Sequence, residues 1–266
     1  MKIHRQLTIL PIKFLALVSI YSPPAHAASI LFVGGPAAAS PTDTNVIARL
    51  TGFGNTVTYV SAPASTTAGA MGQNVIFISS TVASADVTNK FAGINIGIFN
   101  WEQAIQQQSR MNLLTEAAER NNDGAFTQLT ITAGGAGSPL AAGLAAGTYS
   151  VTNAVGAYGY GNSAGFGAGA TGVAVRGDGL AAETTRFGIY GYETGSLRPD
   201  NTPSPGRRVN FFLNDTSFDT LTATGLQLFD AGAKYVGAAV PEPSISALAG
   251  IALAAAGGFR KRRAGT

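Results

Sequence analysis

The chain has 266 residues, no cysteine and two histidines, His4 and His26. That excludes disulfides, thiolate metal sites and a cysteine nucleophile, and beyond His26 it excludes histidine chemistry, a Ser-His-Asp triad included. The formal charge of +3 comes from the ends: three cations precede residue 28 and four follow Phe259, while all 14 acids lie between, where the net charge is −4. A mildly acidic stretch without a Lys/Arg stripe has no electrostatic reason to bind nucleic acid.

Lys2, Arg5 and Lys13 precede or interrupt an apolar stretch from Ile12 to Ile20. Pro23 and Pro24 break any helix there, and Ala25-His26-Ala27 is a small-x-small cleavage site. Residues 1–27 therefore read as a signal peptide, which makes the Sec translocon and signal peptidase expected partners. Ser29 to Val33, apolar on both faces and closed by Gly34-Gly35-Pro36, reads as a doubly covered parallel strand. Thr42 or Asp43 is placed to cap a helix through Leu50, with Val46, Ile47 and Leu50 on one face. Strands follow at Thr56 to Val60, Asn74 to Ser79 and Ile94 to Phe99, with a helix from Ser84 to Phe91. Helix-length gaps between most of these strands favour parallel order.

Gln103 to Glu119 reads as a helix with Met111, Leu113 and Leu114 inward, ended by Asn121-Asn122-Asp123-Gly124. Leu129 to Ile131 and Tyr149 to Val151 read as strands around a Gly/Ala loop. The glycine-dense stretch Gly156 to Gly172 suits a flexible loop better than twisted edge strands. Further strands are expected at Gly172 to Val175, Arg186 to Tyr190 and Arg208 to Leu213, then a helix from Ser217 to Ala231 capped by Thr216 or Ser217. A single α/β domain over 28–236 results, its mostly parallel sheet covered by helices on both faces. The competing class is a secreted β-sandwich, which the Thr/Gly-rich composition and strand-dense second half favour.

The tail, 237–266, has a fixed order: Pro241-Glu242-Pro243, an apolar run from Ile245 to Phe259, then Arg260, Lys261, Arg262 and Arg263. A helix over 244–259 is a marginal span, and the cations behind it favour the cytoplasmic side. The alternative is a buried C-terminal helix with a frayed basic end. The order resembles the PEP-CTERM sorting tail of Gram-negative bacteria. That resemblance implies recognition and cleavage near the motif by an exosortase, then release or attachment at the cell surface.

The body carries a second resemblance. ILFVGG, TDTNVIARLTGFGNTVTYV, VIFISS and IFNWE, followed by SPLAAGL, FGIYGYETG and GRRVNFFLNDTSFDTLTATGLQLFDAG, look like the ThuA-like or class I glutamine-amidotransferase-like α/β domain. It spans about Ser29 to Lys234 and implies a flavodoxin-like parallel sheet. The amidotransferase branch uses a Cys-His-Glu set, and this chain has neither Cys nor, after His26, His. Glutamine hydrolysis is removed, and metal-assisted sugar chemistry loses its histidine ligands.

In an open parallel sheet, ligands bind outside the carboxyl ends of the strands. Residues delivered there are Gly34 and Gly35, Ser79 and Ser80, and Asn100-Trp101-Glu102. Glu102 is either catalytic or a structural acceptor for loop amides. Trp101, the single tryptophan, either stacks on a sugar face or anchors core. Glu193 and Arg208 form the other candidate set, a second catalytic carboxylate with its cation or, as the preferred reading, a plain ion pair. Gly34-Gly35-Pro36 lacks a nucleotide fingerprint. Asp43, Asp178, Asp200 and Asp215 lack calcium-loop spacing and read as surface turns. No metal or cofactor is expected.

Two functions stay open. One is an exported surface or matrix protein on an enzyme-like fold, possessing a Ser/Thr/Gly/Asn-rich surface suited to neutral polysaccharide. The other is a carbohydrate-active hydrolase or isomerase using Glu102 with Glu193 or Arg208, one carboxyl raised by burial.

Overall fold

The computed structural model describes residues 27–117, 120–177 and 184–238, without the side chains of 123–125. The expected leader up to His26, Asp178, and the tail with Pro241, Glu242, Pro243, the 244–259 helix and Arg260 to Arg263 lie outside the described residues. Among the described residues, no helix is long and apolar enough to cross a membrane.

The first strand shows how the sequence sets the layers. β1 (Ser29–Gly34) alternates its apolar side chains between two cores: Ile30 and Phe32 face one, Leu31 and Val33 the other. It pairs in parallel with β2 (Thr56–Ser61) on one side and β3 (Val75–Ile78) on the other. β3 pairs in parallel with β4 (Gly97–Asn100), and β4 with β11 (Arg208–Asn210). The parallel half therefore runs β2-β1-β3-β4-β11. This is an α/β fold, with the four expected N-terminal strands parallel.

The sheet as a whole is mixed, which corrects the expectation of a mostly parallel one. Beyond β11 the order continues through β10 (Arg186–Tyr192), β9 (Ala170–Arg176), β6 (Gln128–Ile131) and β7 (Gly147–Ser150), each pairing antiparallel. β8 (Gly156–Asn162) branches from β10 and pairs antiparallel with β5 (Arg120–Phe126). No α-helix of the described residues interrupts the chain from β5 to β11. Without crossover helices, antiparallel pairing is the accessible solution.

One face is covered by the two long helices, α1 (Pro41–Gly52) and α4 (Ala223–Val236). Phe32, Phe77 and Phe99 line up across three neighbouring strands, ring centroids 6.5 and 5.1 Å apart, and Phe229 of α4 closes on them. Arg49 clamps Asp230 through two bonds of 2.7 and 2.6 Å, tying the helices together. The other face is covered by two one-turn helices, α2 (Thr67–Ala70) and α3 (Ser84–Val87), with Phe91 and the segment from Ile105 to Leu114. The helix expected over Ser84 to Phe91 is thus a single turn.

Four further expectations are corrected. Ser40, not Thr42 or Asp43, caps α1, and Pro41 occupies its first turn. The 103–119 helix stops after a 3-10 turn at Gln103–Ile105. There the amides of Leu113 and Leu114 both turn back to the Gln106 carbonyl, and Asn112 adopts φ 55°. This tight loop buries Met111, Leu113 and Leu114 together, which one helix face would not do. The stretch from Gly156 opens with strand β8 instead of a loop, and a side chain at Gly161 would run into the Tyr190 ring. The last helix divides into a 3-10 turn at Ser217–Thr220 and α4, capped by Thr222.

Candidate functional site

Strand order reverses between β1 and β3, so the crevice beyond their carboxyl ends is where this architecture accepts ligands. Here a side-chain network ties the strand ends to α1. Asp43, on the first turn of α1 and 1 % exposed, accepts the Ser79 hydroxyl at 2.7 Å and the Thr81 hydroxyl at 2.9 Å. Thr81 in turn accepts the Gly35 amide at 3.0 Å. Asp43 is therefore no surface turn. It is the acceptor that ties the loops after β1 and β3 to α1.

Gly34 and Gly35 serve this closure. A Cβ on Gly34 would sit 2.5 Å from the Tyr59 hydroxyl oxygen, and one on Gly35 1.8 Å from the Thr81 carbonyl oxygen. Tyr59 donates to the Pro36 carbonyl at 2.8 Å, and burial, then Asp43, pushes its phenol pKa up. At both glycines it is neighbouring protein that fills the space a side chain would take. Ser80 keeps a buried hydroxyl without a partner among the described residues.

Beyond β4, Trp101 is 3 % exposed and packs edge-on against Phe32, Phe77 and Phe99. The sugar-stacking role is corrected: other rings take the surface a pyranose would need. Glu102 is 6 % exposed and caps the Gln103–Ile105 turn, its Oε1 accepting the Ala104 amide at 2.9 Å. Burial pushes its pKa up to about 7, with Asp215 adding repulsion, against the opposing pull of the Ala104 amide, Arg120 and Arg110. Asn100 holds the strand end, accepting the Glu102 amide at 2.9 Å and donating to Asn210 Oδ1 at 3.1 Å. Glu102 thus has the structural-acceptor role with an acid-range shift on top.

Glu193 and Arg208 lie at the other end of the sheet. Arg208 pairs in register with Ile98 and Tyr192, so Glu193, one residue later, is level with the start of β4. From there to Glu102 is five residue steps, roughly 16 Å along the strand. The structure does not bring the two carboxylates together. Glu193 pairs with Arg207 at 2.9 Å, both side chains about half exposed, which corrects the expected pairing with Arg208. Arg208 is buried and donates to the carbonyls of Ile94 at 2.7 Å and Ile96 at 2.6 Å. Burial, then Arg198, pulls its pKa down to about 9.

Sequence reasoning missed a buried polar line beneath Glu102. Tyr190 donates to Gln106 Oε1 at 2.7 Å, and Gln106 Nε2 and Asn210 Nδ2 have no partner among the described residues. The signal was the Tyr-Gly-Tyr spacing on β10, which sends Tyr190 and Tyr192 to one face. An open groove of about 350 Å³ is lined by Gln107, Gln108, Ser109, Thr115, Glu116 and Ala117, with none of the candidate residues on its walls. No cluster of three potential metal ligands exists among the described residues.

No family model matches the chain, and no curated protein matches it. Among solved structures it is similar to one described as "Structure of PurLQS from Thermotoga maritima", at 11 % identity and a TM-score of 0.45, over 79 % of this chain and 99 % of that one. A likeness of that size carries no argument about this chain's fold or function.

Proposed function

We propose that the chain is an exported cell-surface or extracellular-matrix protein, sorted at its tail by an exosortase-type enzyme. The observation that carries this reading is the tail order: Pro241-Glu242-Pro243, the apolar run Ile245 to Phe259, and the Arg260–Arg263 cluster. The leader over 1–27 supports it independently. Export hands the chain to the Sec translocon and signal peptidase, and the tail holds it at the inner membrane until processing.

The β2-β1-β3-β4 order, continued in parallel by β11, supports reading the body as flavodoxin-like and ThuA-like or class I glutamine-amidotransferase-like. On that scaffold the ligand crevice is closed by Asp43, Ser79 and Thr81, and Glu102 has no carboxylate partner in Glu193. The body then acts through its surface, meeting neutral polysaccharide through hydroxyl and amide groups. The glycoside-hydrolase alternative lacks the carboxylate separation its two mechanisms need. Fractionation of producing cells tests the proposal. The body is expected outside the cytoplasm without its leader; an intact chain retained in the cytoplasm would overturn it.

A further inference from the structure

Both ends of the described body leave from one side of the sheet. Ala28 directly precedes β1, its amide on Asn55 Oδ1 at 3.2 Å and its carbonyl on the Thr56 amide at 2.9 Å. At the other terminus, the end of α4 packs on the starts of β3 and β4. A Cβ on Gly97 would lie 1.9 Å from the Val236 carbonyl, and one on Gly237 3.6 Å from Val75. The amino ends of the parallel strands therefore share a face with both exits, opposite the crevice closed by Asp43.

We propose that in the anchored precursor this amino-end face is seated on the bilayer and the carboxyl-end crevice points away from it. The proposal rests on the membrane-anchored reading above. Only 239–243 separate Ala238 from Ser244, where the expected span begins. The six Cα steps from Ala238 to Ser244 reach at most ~22 Å fully extended. A body of roughly 210 residues has a radius of gyration of about 17 Å and is on the order of 40 Å across. The tether is too short for the body to roll over, so the face carrying the exit meets the headgroups.

That face also offers apolar anchors. Met71 is 68 % exposed and lies just ahead of β3. Leu197, 42 % exposed, lies in the β10–β11 loop, where the next residue, Arg198, donates to the Ala92 carbonyl ahead of β4. Exposed Met and Leu side chains on one face suit the headgroup–acyl boundary of a bilayer.

The absence of cysteine makes the test direct. The full chain, reconstituted into phosphatidylethanolamine–phosphatidylglycerol vesicles, carries one fluorophore at Met71→Cys, Leu197→Cys, Ala38→Cys or Ala64→Cys. The last two positions are exposed in the loops after β1 and β2, at the carboxyl ends. With a spin label on the lipid headgroups, emission should be largely quenched at positions 71 and 197 and nearly unchanged at 38 and 64. Equal or inverted quenching in chain that floats with the vesicles overturns the orientation alone. A chain that fails to float overturns the anchored reading and the orientation with it.

Discussion

The Asp43 carboxylate takes the Ser79 hydroxyl at 2.7 Å, tying the first turn of α1 to the carboxyl end of β3 beside β1. A helix residue thereby occupies the place where this architecture receives substrates. Asp43→Ala leaves the buried Ser79 hydroxyl without its acceptor and takes one of two acceptors from the part-buried Thr81 hydroxyl. The expected loss is about 2–3 kcal/mol, since unsatisfied buried polar groups cost ~1–3 kcal/mol each. Urea denaturation of the purified protein measures it. An unchanged midpoint would mean the contact contributes nothing and the crevice is free to open.

Glu102 should make stability fall with rising pH. Its folded pKa of about 7 lies above the ordinary 4.5, so the folded state holds the proton longer than the unfolded chain does. The penalty for ionising it is absent below the unfolded value, grows as pH rises through that interval, and is complete above the folded value. Its size is on the order of 3–4 kcal/mol. Glu102→Gln keeps an acceptor for the Ala104 amide and cannot ionise. The difference in stability between the two proteins should therefore grow in favour of Gln from pH 4 to pH 8, by parallel denaturation curves; a constant difference contradicts the shift.

Glu193 and Arg208 should behave oppositely. Removing half of an exposed pair costs little, so Glu193→Ala should change stability by less than about 1 kcal/mol. Arg208→Ala strips the buried Ile94 carbonyl and the part-buried Ile96 carbonyl of their donor and leaves a cavity, a loss of about 3–5 kcal/mol. Thermal unfolding of the two variants side by side gives the comparison. Similar losses would mean that the two residues act as one unit.

The parallel half was legible because β1, β3 and β4 are apolar on both faces, and only a doubly covered strand reads that way. The antiparallel half was legible strand by strand for β6, β7, β9 and β10, all of which overlap expected strands, but not in its pairing direction. β8 suggested loop, because Gly161 packs against Tyr190, which lies far along the chain. The 103–119 helix failed because Met111, Leu113 and Leu114 do not share one helical face, and the chain turns back at Gln106 to bury all three. The candidate site was half legible: sequence placed Glu102 at a strand end, but the capping turn that employs it appears only once the chain folds back. The Arg207–Arg208 pair offered no local hint of which arginine Glu193 would take.

Gly35→Ala separates a packing glycine from a ligand-cradle glycine. The new methyl would collide with the Thr81 carbonyl, so the loop must shift. Overpacking of this kind costs about 1–3 kcal/mol or more. Loss of stability in the isolated body, seen as a lower unfolding midpoint, is the expected outcome. A variant of unchanged stability would show that the loop has room and would return the cradle reading to Gly35.

We propose that the leader directs export, that the tail directs sorting, and that neither remains in the mature protein. Mass spectrometry of the protein recovered from the cell surface or medium tests it most directly. The account predicts an N-terminus near Ala28 and a C-terminus close to Pro241-Glu242-Pro243, with no peptide from 244–266. A surface-recovered chain that still ends in Arg262-Arg263-Ala264-Gly265-Thr266 would contradict it and make the tail a permanent anchor.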